Sequence, residues 1–152
     1  MDAPLSASGS NTPPRMGWGD RLPQPGAGAA FLVVHGECAS KANSRQPAPR
    51  KSNAGKPFVA FIKSPKALAF VDAVKAQVRP LARPLVGELT AYIQIFYANQ
   101  RPDLDESLVL DALQGLVYAN DRQVRTRIVD HGIDKENPRV EIAIEPRYGR
   151  LL

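Results

Sequence analysis

The chain has 152 residues and a formal net charge of +5, with a single cysteine, Cys38. One cysteine excludes an internal disulfide and a thiolate metal cluster, and points to a reducing compartment. No basic, then apolar, leader opens the chain, and no apolar stretch approaches the ~20 residues of a membrane-spanning helix, so a soluble cytoplasmic protein without membrane contact is expected. The length suits one ordinary domain.

Charge is unevenly spread. Residues 35–83 hold ten Lys/Arg against Glu37 and Asp72, whereas residues 84–152 hold eight Lys/Arg against eleven Asp/Glu. A basic half beside an acidic cluster suits a polyanion partner and a local cation site. A solvated basic face is the alternative.

Residues 1–28 carry five prolines and five glycines with almost no apolar periodicity, and read as a disordered extension that includes the lone Trp18. Phe31–Val34 reads as a strand closed by Gly36. A Pro/Lys/Ser/Asn/Gly-rich loop follows Arg45 and runs through Pro57, and Phe58–Ile62 is a second strand. Ser64-Pro65 is a helix start, with serine as N-cap and proline in the first turn. Leu68, Val71, Val74 and Val78 then share a helical stripe, ended by Pro80.

Leu89–Tyr97 alternates with period two and reads as a strand. Leu108, Val109, Ala112, Leu113 and Leu116 share the face of a second helix. Val124–Val129 and Val140–Ile144 alternate again, and the loop His131–Pro138 between them suggests a hairpin. The order predicts an α+β fold, a single domain with a mixed or antiparallel sheet and two helices, over residues 29–148.

Five acids and no Lys or Arg lie between Arg101 and Arg122. In an extended segment Asp103 and Asp105 point the same way, around Leu104. Two such carboxylates repel unless a cation lies between them, and a hard ion such as Mg2+ is their natural partner. Asp121 precedes a strand that could bring it back to the pair. The same acids also suit helix caps and a turn, and Asp111, on the second helix, suits either solvent or the metal. A calcium loop fails because its glycine position is Leu108 and its glutamate position Gln114. A restriction-type motif lacks its acid-x-Lys. Zinc is poorly served by His35 and His131 alone.

Arg101-Pro102-Asp103-Leu104-Asp105, Leu110-Asp111-Ala112-Leu113-Gln114-Gly115 and Tyr118-Ala119-Asn120-Asp121-Arg122-Gln123-Val124, in that order, resemble the RusA family of Holliday junction resolvases, common in phages and prophages. The closing strand Arg139–Glu145 and the Gly36–Arg45 loop are similar too, so the likeness covers roughly residues 31–146. It implies a RusA-like fold and a homodimeric, Mg2+-dependent endodeoxyribonuclease that nicks four-way DNA junctions in recombination and repair, in a bacterial or phage-infected cell. It also places Asp103, Asp105 and Asp121 as catalytic, metal-holding acids. Better-known members carry a lysine on the helix after the Asp-x-Asp, where this chain has Ser107-Leu108-Val109; Lys63 or Lys66 is the candidate replacement. A flap- or fork-directed nuclease and a catalytically weak junction-binding relative are the rival readings.

DNA contacts are expected from Lys41, Asn43, Ser44 and Arg45, whose loop has little apolar content. Lys63 and Lys66 flank a helix start that favours phosphate. Arg125 and Arg127 share one strand face, with ordinary solvent exposure as the alternative for that pair.

Overall fold

The computed structural model describes residues 17–18, 21–26, 28–100 and 105–147. The strands are β1 (Ala30–His35), β2 (Arg45–Lys51), β3 (Pro57–Lys63), β4 (Leu89–Tyr97), β5 (Val124–Ile133) and β6 (Arg139–Pro146). The helices are α1 (Lys41–Ser44), α2 (Pro65–Gln77) and α3 (Glu106–Ala112), with a 3-10 turn at Asp121–Gln123. The α+β class and mixed sheet are as expected; the one-turn α1 adds a third helix.

A four-stranded sheet has the order β1-β6-β4-β5, and β2 and β3 form a separate two-stranded ribbon. β4 is antiparallel to β6 and parallel to β5. β5 and β6 therefore flank β4 and do not form the expected hairpin. The reason lies in β4 itself: its residues are buried on both faces, so it must be central with a partner on each side. The connection from β5 to β6 crosses the end of β4, where the Asp134 amide donates to the Tyr97 carbonyl at 2.9 Å. Arg139 clamps the crossing, 2.7 Å from Asp134 Oδ2, 3.0 Å from Glu141 Oε2 and 3.9 Å above the Phe96 ring centroid.

One sheet face, with Val34, Ala91, Ile93, Ile95 and Ile142, packs beneath α2 and α3. Ser64 caps α2 as expected, its hydroxyl accepting from the Ala67 amide. The buried stripe of α2 is Ala67, Phe70 and Val74, while Leu68 is 49% exposed. Of the expected stripe Val74 and Val78 are buried and Val71 packs against the core, while Leu68 turns outward and Ala67 and Phe70 fill the first turns of the buried face.

The opposite face is also covered. Trp18, which composition assigns to the extension, is 2% exposed and packs with Tyr92, Ala143, Leu22, Phe31 and Ile128. Arg21 pairs with Asp130 at 2.7 Å, and the Gly26 amide donates to Glu145 at 2.7 Å. β2 falls where a loop was expected. Pro47 and Pro49 argued against a strand, but two residues apart their nitrogens share one edge, away from β3, where no ladder donor is needed. Gly55, at φ 82°, closes the ribbon's turn with a backbone conformation that side chains resist.

Trp18 is the sole tryptophan, so its fluorescence reports this docking. Native emission should be blue-shifted and protected from acrylamide, and Trp18→Ala should cost about 3 kcal/mol in urea unfolding. The Arg139 hydrogen bond holds the Asp134 carboxyl below its usual range. A depressed carboxyl pKa adds stability above the unfolded value that is lost as pH falls through the folded one. Asp134→Asn should therefore flatten the acid limb of a melting-temperature profile.

Candidate active site

The site lies where α1, the base of the ribbon and α3 meet. Asp105 is the N-cap of α3, with Oδ1 accepting from the Leu108 amide at 3.2 Å. Oδ2 receives a short hydrogen bond from the Ser44 hydroxyl. Ser44 Oγ is also 2.6 Å from the Ser40 carbonyl, and its single proton can serve only one of the two at a time. Asp105 is 9% exposed. Behind it, the Cys38 thiol lies 3.9 Å from the Asp105 carbonyl. Burial first, then the Asp105 and Glu37 carboxylates, push that thiol far above the usual range.

Asp105 opens onto a cavity of about 280 Å3, lined also by Lys41, Ser44, Arg45, Lys63, Ser107, Leu108 and Asp111. Lys63 Nζ sits 2.8 Å from Asp111 Oδ2. A cation from the end of β3 thus stands beside α3, a helix with no Lys or Arg of its own. Lys66 is engaged elsewhere, 3.2 Å from Glu37 Oε1.

Gln114 ties this wall to the last acid. Its amide nitrogen donates to Asp111 Oδ1 at 3.0 Å, and its oxygen accepts from the Asp121 backbone amide at 2.8 Å. Asp121 starts the 3-10 turn, which Asn120 and Gln123 close with a reciprocal capping box. Tyr118 is buried there and donates to the Leu110 carbonyl at 2.6 Å. Its phenol is pushed up chiefly by burial, then by the Asp121 carboxylate, with Arg127 opposing and Asp111 adding.

The expected residues therefore separate into groups. Asp105 reaches the cavity, as do Lys41, Arg45 and Lys63. Asp121 is linked to it through Gln114, while Asp103 falls outside the described residues. Ser44 also lines the cavity, but it is buried and its hydroxyl holds Asp105, so it sits in the cavity wall rather than on an outer surface. Asn43 Nδ2 donates to Ser40 Oγ at 3.1 Å, and the Asn43 carbonyl accepts from the Ser64 hydroxyl. Arg125 pairs with Glu88 at 3.1 Å, and Arg127 lies 4.0 Å from Glu106. Sequence reasoning left Asp111 undecided and missed Gln114. The Asp111-x-x-Gln114 spacing puts both on one helical side, the only hint available.

The donor chemistry suits a hard divalent ion. Asp105 is a desolvated carboxylate whose partners are a neutral hydroxyl and an amide, and it faces a polar cavity. Among the described residues no three acid, histidine or cysteine side chains converge as a complete ligand set.

The family model for Endodeoxyribonuclease RusA matches residues 42–145. No curated protein matches the chain.

Two outcomes follow from this geometry. Ser44→Ala should lower stability by about 1–3 kcal/mol in denaturant unfolding, because a buried carboxylate loses its donor. Cys38 should resist a thiol-specific reagent at pH 8 until the chain unfolds, since reaction needs an accessible thiolate.

Proposed function

The chain belongs to the RusA endodeoxyribonuclease family, and from that premise we propose that it resolves four-way DNA junctions by paired, Mg2+-dependent hydrolytic nicks. The observation that carries the reading is the cavity that sets the buried Asp105 carboxylate against Lys41, Arg45 and Lys63. An acid at the floor and cations at the rim suit a phosphodiester, whose charge must be held while one of its bonds to oxygen is hydrolysed.

Asp105 and Asp121, with Asp103, are the residues that would hold Mg2+. When bound, the ion lowers the pKa of water and stabilises charge on the phosphate. The chain's own groups do the rest. Ser44 and the Leu108 amide fix Asp105, so its orientation is set before substrate arrives. Lys41 and Arg45 bind phosphate oxygens. Lys63 supplies the cation that relatives carry on the helix, and Asp111 positions it. Gln114 keeps Asp111 and Asp121 in register. Arg127, on the Asp121 side, extends the phosphate track. A homodimer with two-fold symmetry places one such site on each of two opposed strands. The setting is the cytoplasm of a bacterial or phage-infected cell, in recombination and repair.

The test is cleavage of a synthetic four-way junction against a linear duplex of the same sequence. Mg2+ should give symmetric nicks confined to the junction. Asp105→Asn should lower the single-turnover rate at least about 100-fold; asparagine also caps helices, so the fold survives. Lys63→Ala should cost about 100-fold at saturating enzyme, with Lys66→Ala near wild type. Tight junction binding without nicks would identify a binding relative, and preferred cutting of flaps or forks a different nuclease.

A further inference from the structure

The β2–β3 ribbon stands apart from the core. Phe61 is 67% and Val59 60% exposed. Both lie on one face of β3, and in register across from them stand Pro47 and Pro49. The same face ends at the Arg45–Lys63 pair, and both of those side chains line the Asp105 cavity. An open apolar strip thus runs directly out of the site.

The strip is set in positive charge: residues 45–63 contain five Lys/Arg and no Asp or Glu. An exposed apolar strip of this kind marks a docking surface. The charge requires an anionic occupant, and the aromatic and aliphatic side chains require one that also offers flat apolar surface. DNA with unstacked bases offers both. A second copy laid symmetrically on this face would bring two ribbons of like charge together, which opposes pairing. Two antiparallel strands also have the width of the DNA major groove.

We infer that the β2–β3 ribbon is a DNA-binding arm that lays Phe61 and Val59 against base surfaces opened at a branch point. The inference rests on the nuclease reading and deepens it: the cavity handles the phosphate, and the ribbon distinguishes branched DNA from continuous duplex.

The experiment uses the full chain and a four-way junction carrying 2-aminopurine at the branch, without divalent ion, with the linear duplex as control. Wild type should raise the fluorescence on binding, as the probe unstacks. Phe61→Ala should abolish most of that rise and weaken junction binding about tenfold. Duplex affinity should stay within about twofold, since phosphate contacts dominate there. Phe61→Trp should restore both. The side chain is exposed, so an unchanged melting temperature confirms the fold. Wild-type fluorescence and affinity in Phe61→Ala would overturn the inference while leaving junction cleavage intact. Equal loss on junction and duplex would overturn it too. A shift from dimer to monomer in sedimentation would assign the face to a second copy instead. A wild-type chain that ignores the junction altogether would sink both the arm and the proposed function.

Discussion

A buried carboxylate with both oxygens engaged holds the site together. Asp105 caps α3 through one oxygen and receives Ser44 through the other, so the placing of α1 against α3 and the acid of the candidate site depend on one side chain. Desolvating a carboxylate is costly, and the two hydrogen bonds offset that cost only while α1 and α3 keep their places. In return the carboxylate needs little rearrangement to meet a cation, because its rotamer is fixed by neighbours that do not react. The neighbouring Cys38 thiol is kept protonated by the same burial and charge, so it does not compete as a nucleophile or a ligand.

The two walls of the cavity differ in origin. The acids come from α3 and the turn after it, a stretch without Lys or Arg. The cations come from α1 and the base of the ribbon, more than forty residues earlier. Lys63–Asp111 is the contact where the walls meet, and with an exposed pair of this kind the strength of the ion pair itself is modest. Its value is positional. It sets a cation beside a helix whose own sequence provides none, and leaves Asp105 outside that ion pair.

Much of this was legible in the chain. Ser64-Pro65 announced α2, period-two alternation announced β4, β5 and β6, and a run of acids without Lys or Arg announced the wall that holds Asp105 and Asp111. What failed shares a physical cause: pairing partners are decided at long range. Alternation in β5 and β6 shows that each is a strand, but not that β4 separates them; that follows only from burial on both faces of β4. β2 was hidden by two prolines that a free edge tolerates. Trp18 was hidden by its neighbours, since a Pro/Gly-rich setting suppresses periodicity while one large side chain can still find a groove. Lys63 and Lys66 were equal candidates for a cation beside α3, and no local pattern could tell that Lys63 lines the cavity while Lys66 pairs with Glu37.

The family match begins at residue 42, whereas β1 lies earlier, at Ala30–His35, hydrogen-bonded along β6. A fragment trimmed to the matched region would lose that strand. β6 would then offer a bare row of amides and carbonyls beside Val140, Ile142 and Ile144, and bare edges of that kind recruit other chains. Trimming would also uncover Tyr92 and Ala143, which Trp18 shields. The segment ahead of the matched residues thus shields β6 from sheet-to-sheet pairing, a colloidal consequence distinct from the candidate site.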